Sequence, residues 1–121
     1  MTNYNVLLDE GAFMPTRAHE PDAGADLRSP IDFVIYPGQR KRIDTGVHME
    51  IPVGCGGFIY PRSGLENDHG VTAGRGVIDS GYTGSIGVTL YNNGERPYKI
   101  HRGDRIGQVV IQPVVLCEFR L

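Results

Sequence analysis

Cysteine is scarce in this chain, and long apolar runs are absent. The 121 residues contain two cysteines, Cys55 and Cys117. Two widely spaced thiols make neither a metal motif nor a disulfide framework. Both are expected to be small, buried, apolar residues. The four histidines, His19, His48, His69 and His101, lack metal-ligand spacing, so no zinc is assigned and all four are expected on the surface or at a rim. The most apolar stretch, residues 109–117, is broken by Gln112 and Pro113 and is too short to span a bilayer. The opening Met-Thr-Asn-Tyr-Asn has neither a basic start nor an apolar run, so no signal peptide is read there. Charge of one sign is lacking too. The net charge is −2 with both signs interspersed, which excludes a nucleic-acid stripe and a membrane-surface patch. A soluble, reduced, cytoplasmic setting follows by default, with neither nucleic acid nor membrane as a partner. No window keeps a helical period, and no repeat, low-complexity tract or linker divides the chain. The length fits one domain over residues 1–121. Such a domain buries roughly two-thirds of the surface its unfolded chain would expose.

What is abundant is glycine, 17 of 121 residues. That is about twice the usual ~7%, and without a collagen period it signals many turns and therefore many short strands. Strands are expected at 5–8, 31–36, 39–44, 47–51, 57–60, 71–72, 77–78, 86–92, 97–100, 105–112 and 114–119. Pro37-Gly38 and Asn93-Gly94 read as turns, the second as a hairpin turn. Residues 63–69, stopped by Gly70, read as a loop or one helical turn. Short strands separated by turns every 8 to 12 residues indicate an all-β sandwich, jelly roll or small barrel.

Four segments carry the chemistry. Residues 76–84, Gly-Val-Ile-Asp-Ser-Gly-Tyr-Thr-Gly, have the grammar of a tight hairpin with a carboxylate, Asp79, and a ring, Tyr82, at its tip. A carboxylate held there is placed to orient a water against a small ligand. Residues 23–29, Ala-Gly-Ala-Asp-Leu-Arg-Ser, read as a small-residue turn that delivers Asp26. Residues 61–65, Pro-Arg-Ser-Gly-Leu, put a guanidinium fork, a hydroxyl and an approachable backbone together, a combination suited to phosphate. Residues 103–108, Gly-Asp-Arg-Ile-Gly-Gln, form a turn leading into a strand. Taken singly each is weak: an Arg-Ser-Gly triplet occurs by chance in many chains, a lone Asp on a turn is usually an Asx-turn, and Gly-Asp-Arg is most often a turn with a surface ion pair.

Taken in order and spacing, the four resemble motifs one to four of the trimeric dUTP diphosphatase (dUTPase) family. Segment 23–27 resembles motif one, 61–65 motif two, 76–84 motif three and 103–108 motif four. The resemblance implies a jelly-roll-like fold, a homotrimer with three shared sites, and hydrolysis of dUTP to dUMP and pyrophosphate with Mg²⁺. It implies that Asp79 is the general base aligning water on the α-phosphorus. Tyr82 would pack on the deoxyribose and exclude a 2′-hydroxyl. The backbone of Gly76, Val77 and Ile78 would pair with uracil, while Arg62, Ser63, Gly64 and Gln108 hold phosphates. Asp26 would bind Mg²⁺ through its waters.

The family's fifth motif, a glycine-rich C-terminal arm with an Arg and a Phe, has no counterpart here. Phe119 and Arg120 lack its glycine context and are expected to finish the last strand. Slow turnover is therefore expected of the enzyme, and the alternative reading is a dUTPase-fold nucleotide-binding or regulatory protein with weak catalysis. The related dCTP deaminase branch uses a Glu on the strand after the hairpin and a second Arg after motif two. This chain has Thr89 and Glu66-Asn67-Asp68 at those places.

Overall fold

Alternating apolar and polar residues, cut short by glycine turns, make eleven strands and one helix among the described residues, 4–121, of the computed structural model. The largest sheet is antiparallel. It runs β2 (Ala25–Arg28), β11 (Arg105–Pro113), β6 (Cys55–Tyr60), β8 (Gly76–Ile78). A second sheet runs β4 (Arg40–Asp44), β9 (Gly87–Asn92), β7 (Val71–Ala73). Two strand pairs complete the fold: β1 (Val6–Leu8) with β5 (Val47–Met49), and β3 (Phe33–Ile35) with β10 (Tyr98–Ile100). The helix, α1, spans Ser63–His69.

The period of two sets what lies inside. In β9, Val88, Leu90 and Asn92 are buried while Gly87, Thr89 and Tyr91 lie partly open. In β2, Ala25 and Leu27 face the core and Asp26 and Arg28 face away. The core is aliphatic: Leu27, Ile35, Ile43, Val71, Val88, Leu90, Ile100 and Ile106 are all at most 1% exposed. Each such side chain contributes about 1.5–3 kcal/mol by leaving water.

Several sequence expectations change in the folded chain. Residues 76–84 do not close a hairpin. β8 pairs with β6, whereas β9 pairs with β4 and β7, so the chain crosses from one sheet to the other. The turn itself exists, with the Tyr82 N–H donating to the Asp79 carbonyl at 3.0 Å. Downstream, Thr45 and Val47 capture the backbone of Ile86 at 3.0 and 2.9 Å and draw it away from β8. Asn93-Gly94 is no hairpin turn either, because β10 pairs with β3. The Asn93 N–H instead donates to the Gly70 carbonyl at 2.8 Å.

Residues 23–29 are mostly strand, since the small Ala25 hides an inward–outward alternation. Residues 63–69 form a full helix. It is anchored by buried Leu65 and ended by Gly70 at φ 70°. A side chain on Gly70 would come within 2.8 Å of the Gly94 nitrogen, so both conformation and space demand glycine. Residues 114–121 are not a strand. Val115, Leu116 and Phe119 are 90%, 73% and 94% exposed, so Phe119 and Arg120 finish nothing. Cys55 is only half-buried and Cys117 is exposed, contrary to the expected pair of core thiols.

Three polar residues, Ser29, Thr45 and Asn92, are also buried at 0% exposure, and Asn92 is the largest of them. Its amide donates to the Ile35 and Arg96 carbonyls, and its oxygen accepts from the Gly94 N–H, each at 2.9 Å. Removing it orphans the buried Ile35 carbonyl and frees two partly open backbone groups, at Gly94 and Arg96, in the loop before β10. Asn92→Ala is expected to cost about 2–4 kcal/mol, since an unpaired buried group costs roughly 1–3. Urea denaturation of both proteins at one protein concentration measures it.

Candidate functional site

The register of β11 gathers three of the four segments. Gln108 lies opposite Asp26 of β2 on one side and opposite Tyr60 of β6 on the other. Tyr60 leads directly into residues 61–65 and α1. One row across the sheet therefore ends in a cleft of about 400 Å³ lined by Asp22, Gly24, Asp26, Arg62, Ser63, Gly64, Arg105 and Gln108.

Arg105 is the residue that sequence reasoning missed. In a regular strand, residues three apart point to opposite faces, so Arg105 and Gln108 would be divided. A register shift between Arg105 and Gly107 inserts one extra residue against β2, and both side chains then line the same cleft. Gly107 within the strand was the available signal, because a strand glycine often marks a bulge. The Asp26 carboxylate sits between two guanidiniums, with Arg62 Nε at 3.6 Å and Arg105 Nη1 at 3.9 Å. The Gln108 amide donates to the Pro61 carbonyl at 3.0 Å. Gly24 leaves the space Gln108 occupies, since an added Cβ would meet its Cδ at 2.9 Å. A cleft with arginines on one hand and Asp22 and Asp26 on the other is mixed in charge. Its carboxylates repel a bare phosphate and suit one that arrives with a cation.

The remaining segment forms a second, smaller cleft of about 200 Å³, lined by Gly76, Val77, Ile78, Asp79 and Tyr82 with Arg42, Ile86 and Gly87. β8 is the edge strand of its sheet, so one side of its backbone has no strand partner. Val77 is 67% exposed beside it. Asp79 is exposed at the turn. The Tyr82 hydroxyl donates to the Ser85 carbonyl at 2.7 Å, which folds the ring back over Gly84. Arg42 was not foreseen. Its guanidinium lies over Gly87, where any side chain would overlap it. Tyr60 and Tyr91 are sheet residues, in β6 and β9, as expected. The two clefts share no lining residue, so within one chain the structure does not bring Asp79 and Tyr82 to Asp26, Arg62 and Gln108.

Fold and clefts define the class: an all-β protein with one polar cleft that sets arginines beside carboxylates and one small cleft beneath an open strand edge. A dUTPase family model matches residues 10–121. The deoxyuridine 5′-triphosphate nucleotidohydrolase of Nocardia farcinica is 45% identical over 115 residues, covering 93% of this chain and 70% of that protein. Its counterpart from Clostridium tetani is 44% identical over 120 residues, covering 95% and 83%. Among solved structures, a dUTPase from phage phi11 of S. aureus superposes with a TM-score of 0.93 at 30% identity, covering 99% of this chain and 96% of that one. It is described as coordinating a structural Mg(II) ion. The dUTPase of Staphylococcus bacteriophage 80alpha, solved with dUpNHpp, gives 0.94 at 29% identity, covering 100% and 88%. The chain belongs to the dUTPase family.

Gly24→Ala tests the polar cleft. The added methyl is expected to push the Gln108 amide off Pro61, moving its side-chain N–H resonances in a ¹⁵N spectrum. The Gln108 side chain can swing aside, so stability should change by no more than about 1 kcal/mol.

Proposed function

We propose that this chain hydrolyses dUTP to dUMP and pyrophosphate at sites assembled between copies of itself. The observation that carries the reading is the division of the site residues between two separate clefts of complementary character. The small cleft offers what a base and an attacking water need: an open backbone edge, a ring and a carboxylate. The polar cleft offers what a metal-bound triphosphate needs. A triphosphate ester spans both only if a second copy presents its polar cleft to the first copy's small one. The homotrimer of the family resemblance supplies such a closed, repeated contact. The exposed apolar side chains of residues 114–121 support burial against another copy.

In this reading the free edge of Gly76, Val77 and Ile78 pairs with uracil. The base presents acceptor, donor and acceptor along one side. Cytosine reverses part of that pattern and leaves groups unpaired, at about 1–3 kcal/mol each. Tyr82 packs on the deoxyribose and leaves no space for a 2′-hydroxyl. Asp79 accepts a proton from a water about 3 Å away, as that water attacks the α-phosphorus and pyrophosphate leaves. Arg62, Ser63, Gly64 and Gln108 hold the phosphates, and Arg105 joins them.

Asp26 fits an Mg²⁺ that arrives with its substrate. Among the described residues no cluster of three or more metal-binding side chains exists, so no all-protein cage competes with phosphate oxygens for the ion. Magnesium bound through one carboxylate, waters and phosphates suits that donor set. The ion, when bound, neutralises part of the triphosphate charge. Among the described residues no helix is long and apolar enough to cross a membrane. A cytoplasmic setting accords with that, and with a nucleotide substrate.

Pyrophosphate release measured across dUTP, dCTP, dTTP and UTP, with and without Mg²⁺, tests the activity. Release from dUTP alone is expected, and binding without release would make the chain a regulatory binder. Asp79→Asn should lower kcat by at least about 10²-fold, the usual contribution of a general base. Affinity for a non-hydrolysable dUTP analogue should change little. Mixing unfolded Asp79→Asn and Arg62→Ala chains and refolding them together tests the shared site. Random assembly leaves about one site in four with both residues intact, so activity should return in the mixture alone. A stable monomer in ultracentrifugation at micromolar concentration overturns the shared site.

A further inference from the structure

One histidine lies between the segment that carries Asp79 and the opposite strand pair. His48 belongs to β5. Its Nδ1 is 2.8 Å from the Thr83 carbonyl oxygen and its Nε2 is 2.9 Å from Asp9 Oδ1. Thr83 follows Tyr82 directly, and Asp9 follows the end of β1. The ring is tucked in, with its side chain 23% exposed. Both partners are acceptors only. A neutral imidazole has one N–H and satisfies one of them, leaving a lone pair against the other. The imidazolium satisfies both.

We propose that His48 is a positioning residue, its doubly protonated ring bridging Asp9 and the Thr83 carbonyl so that the segment bearing Asp79 and Tyr82 is held against β1 and β5. This rests on the function proposed above. The rest of the segment is fastened on its far side. The Thr45 hydroxyl donates to the Ile86 carbonyl at 2.7 Å, the Gly46 N–H donates to Ser85 Oγ at 2.9 Å, and Ser85 Oγ donates to Asp44. Those bonds hold residues 85–86. Among the described residues, His48 is the one side chain hydrogen-bonded to Thr83, adjacent to the ring proposed to hold the sugar.

The charged groups facing the imidazole act in one direction. Asp9 comes from the turn just after β1, and Asp44 comes from the end of β4 behind Ser85. Glu50 lies farther along the same groove and is tied to Asn5 at 2.9 Å. The bond to the Thr83 carbonyl raises the His48 pKa most. Partial burial lowers it, and Asp9 and Asp44 raise it further. The sign follows from a raised value. The clamp is fully present below the ordinary imidazole range near 6.5 and is lost as pH rises through the elevated one.

The full chain and three quantities test this: the ring titration of His48 by NMR, amide exchange at residues 83–85, and KM and kcat for dUTP between pH 6 and 9. In the wild type the ring should titrate above the ordinary value, with exchange at 83–85 and KM both rising through that titration. His48→Ala should raise KM at pH 6 by roughly three- to tenfold, the range of one lost hydrogen bond. It should leave kcat within about twofold, because bound nucleotide reorders the segment itself. Its KM should lose the pH dependence. Asp9→Asn separates charge from structure. An asparagine amide donates to Nε2 of the neutral ring while Nδ1–H still donates to Thr83, so this variant should keep a low KM at pH 9. An ordinary ring titration, or the same KM and pH profile in His48→Ala as in the wild type, overturns the proposal. If dUTP is not hydrolysed at all, the functional reading fails, and titration and exchange still decide whether the clamp exists.

Discussion

The polar chemistry of this protein hangs from one register. Gln108 of β11 faces Asp26 across one ladder and Tyr60 across the other. A slip of one residue would turn every side chain of β11 to the other face. The apolar side of the strand forbids it, because Ile106 and Val109 are 0% and 2% exposed in the core. Hydrophobic burial thus fixes the position of groups that have no part in the core. The extra residue between Arg105 and Gly107 works within that constraint. It lets the strand bury Ile106 while presenting Arg105 and Gln108 to the same side.

The crossing between sheets after β8 is the second determinant. A hairpin would have paired residues 76–78 with residues 85–87 and consumed the strand edge. Instead Thr45 and Val47 take the backbone of Ile86, and the edge of β8 stays free. The proposed base pairing needs that free edge, and the proposed catalytic carboxylate needs the turn beside it. Both belong to a cleft that shares no residue with the one holding Arg62 and Arg105. In the proposed function each copy holds halves of two different sites, which gives such a chain a reason to associate.

The elements were largely legible because period-two patterning and glycine turns are local signals. Strands from β3 to β7 lie within a few residues of where alternation and turns put them. The pairings were not legible, and the errors have one cause. Asp-Ser-Gly and Asn-Gly are hairpin dipeptides by local propensity, yet in both places a distant backbone group won: Thr45 and Val47 in one, Gly70 in the other. The apolar residues 114–119 read as strand because composition does not say whether a partner edge is present. Of the candidate site, the motif residues were found by their order along the chain. Arg105, Arg42 and His48 were not, since their parts arise from a bulge, a stacking over glycine and a contact across 35 residues of sequence.

The open edge of β8 has a consequence for how such a protein changes over generations. Whatever pairs with that edge reads amide and carbonyl groups, which every residue except proline carries alike. Val77 points into solvent and is free to drift. Selectivity written in main chain is therefore shielded from gradual erosion, and it yields only to changes that bend the strand itself.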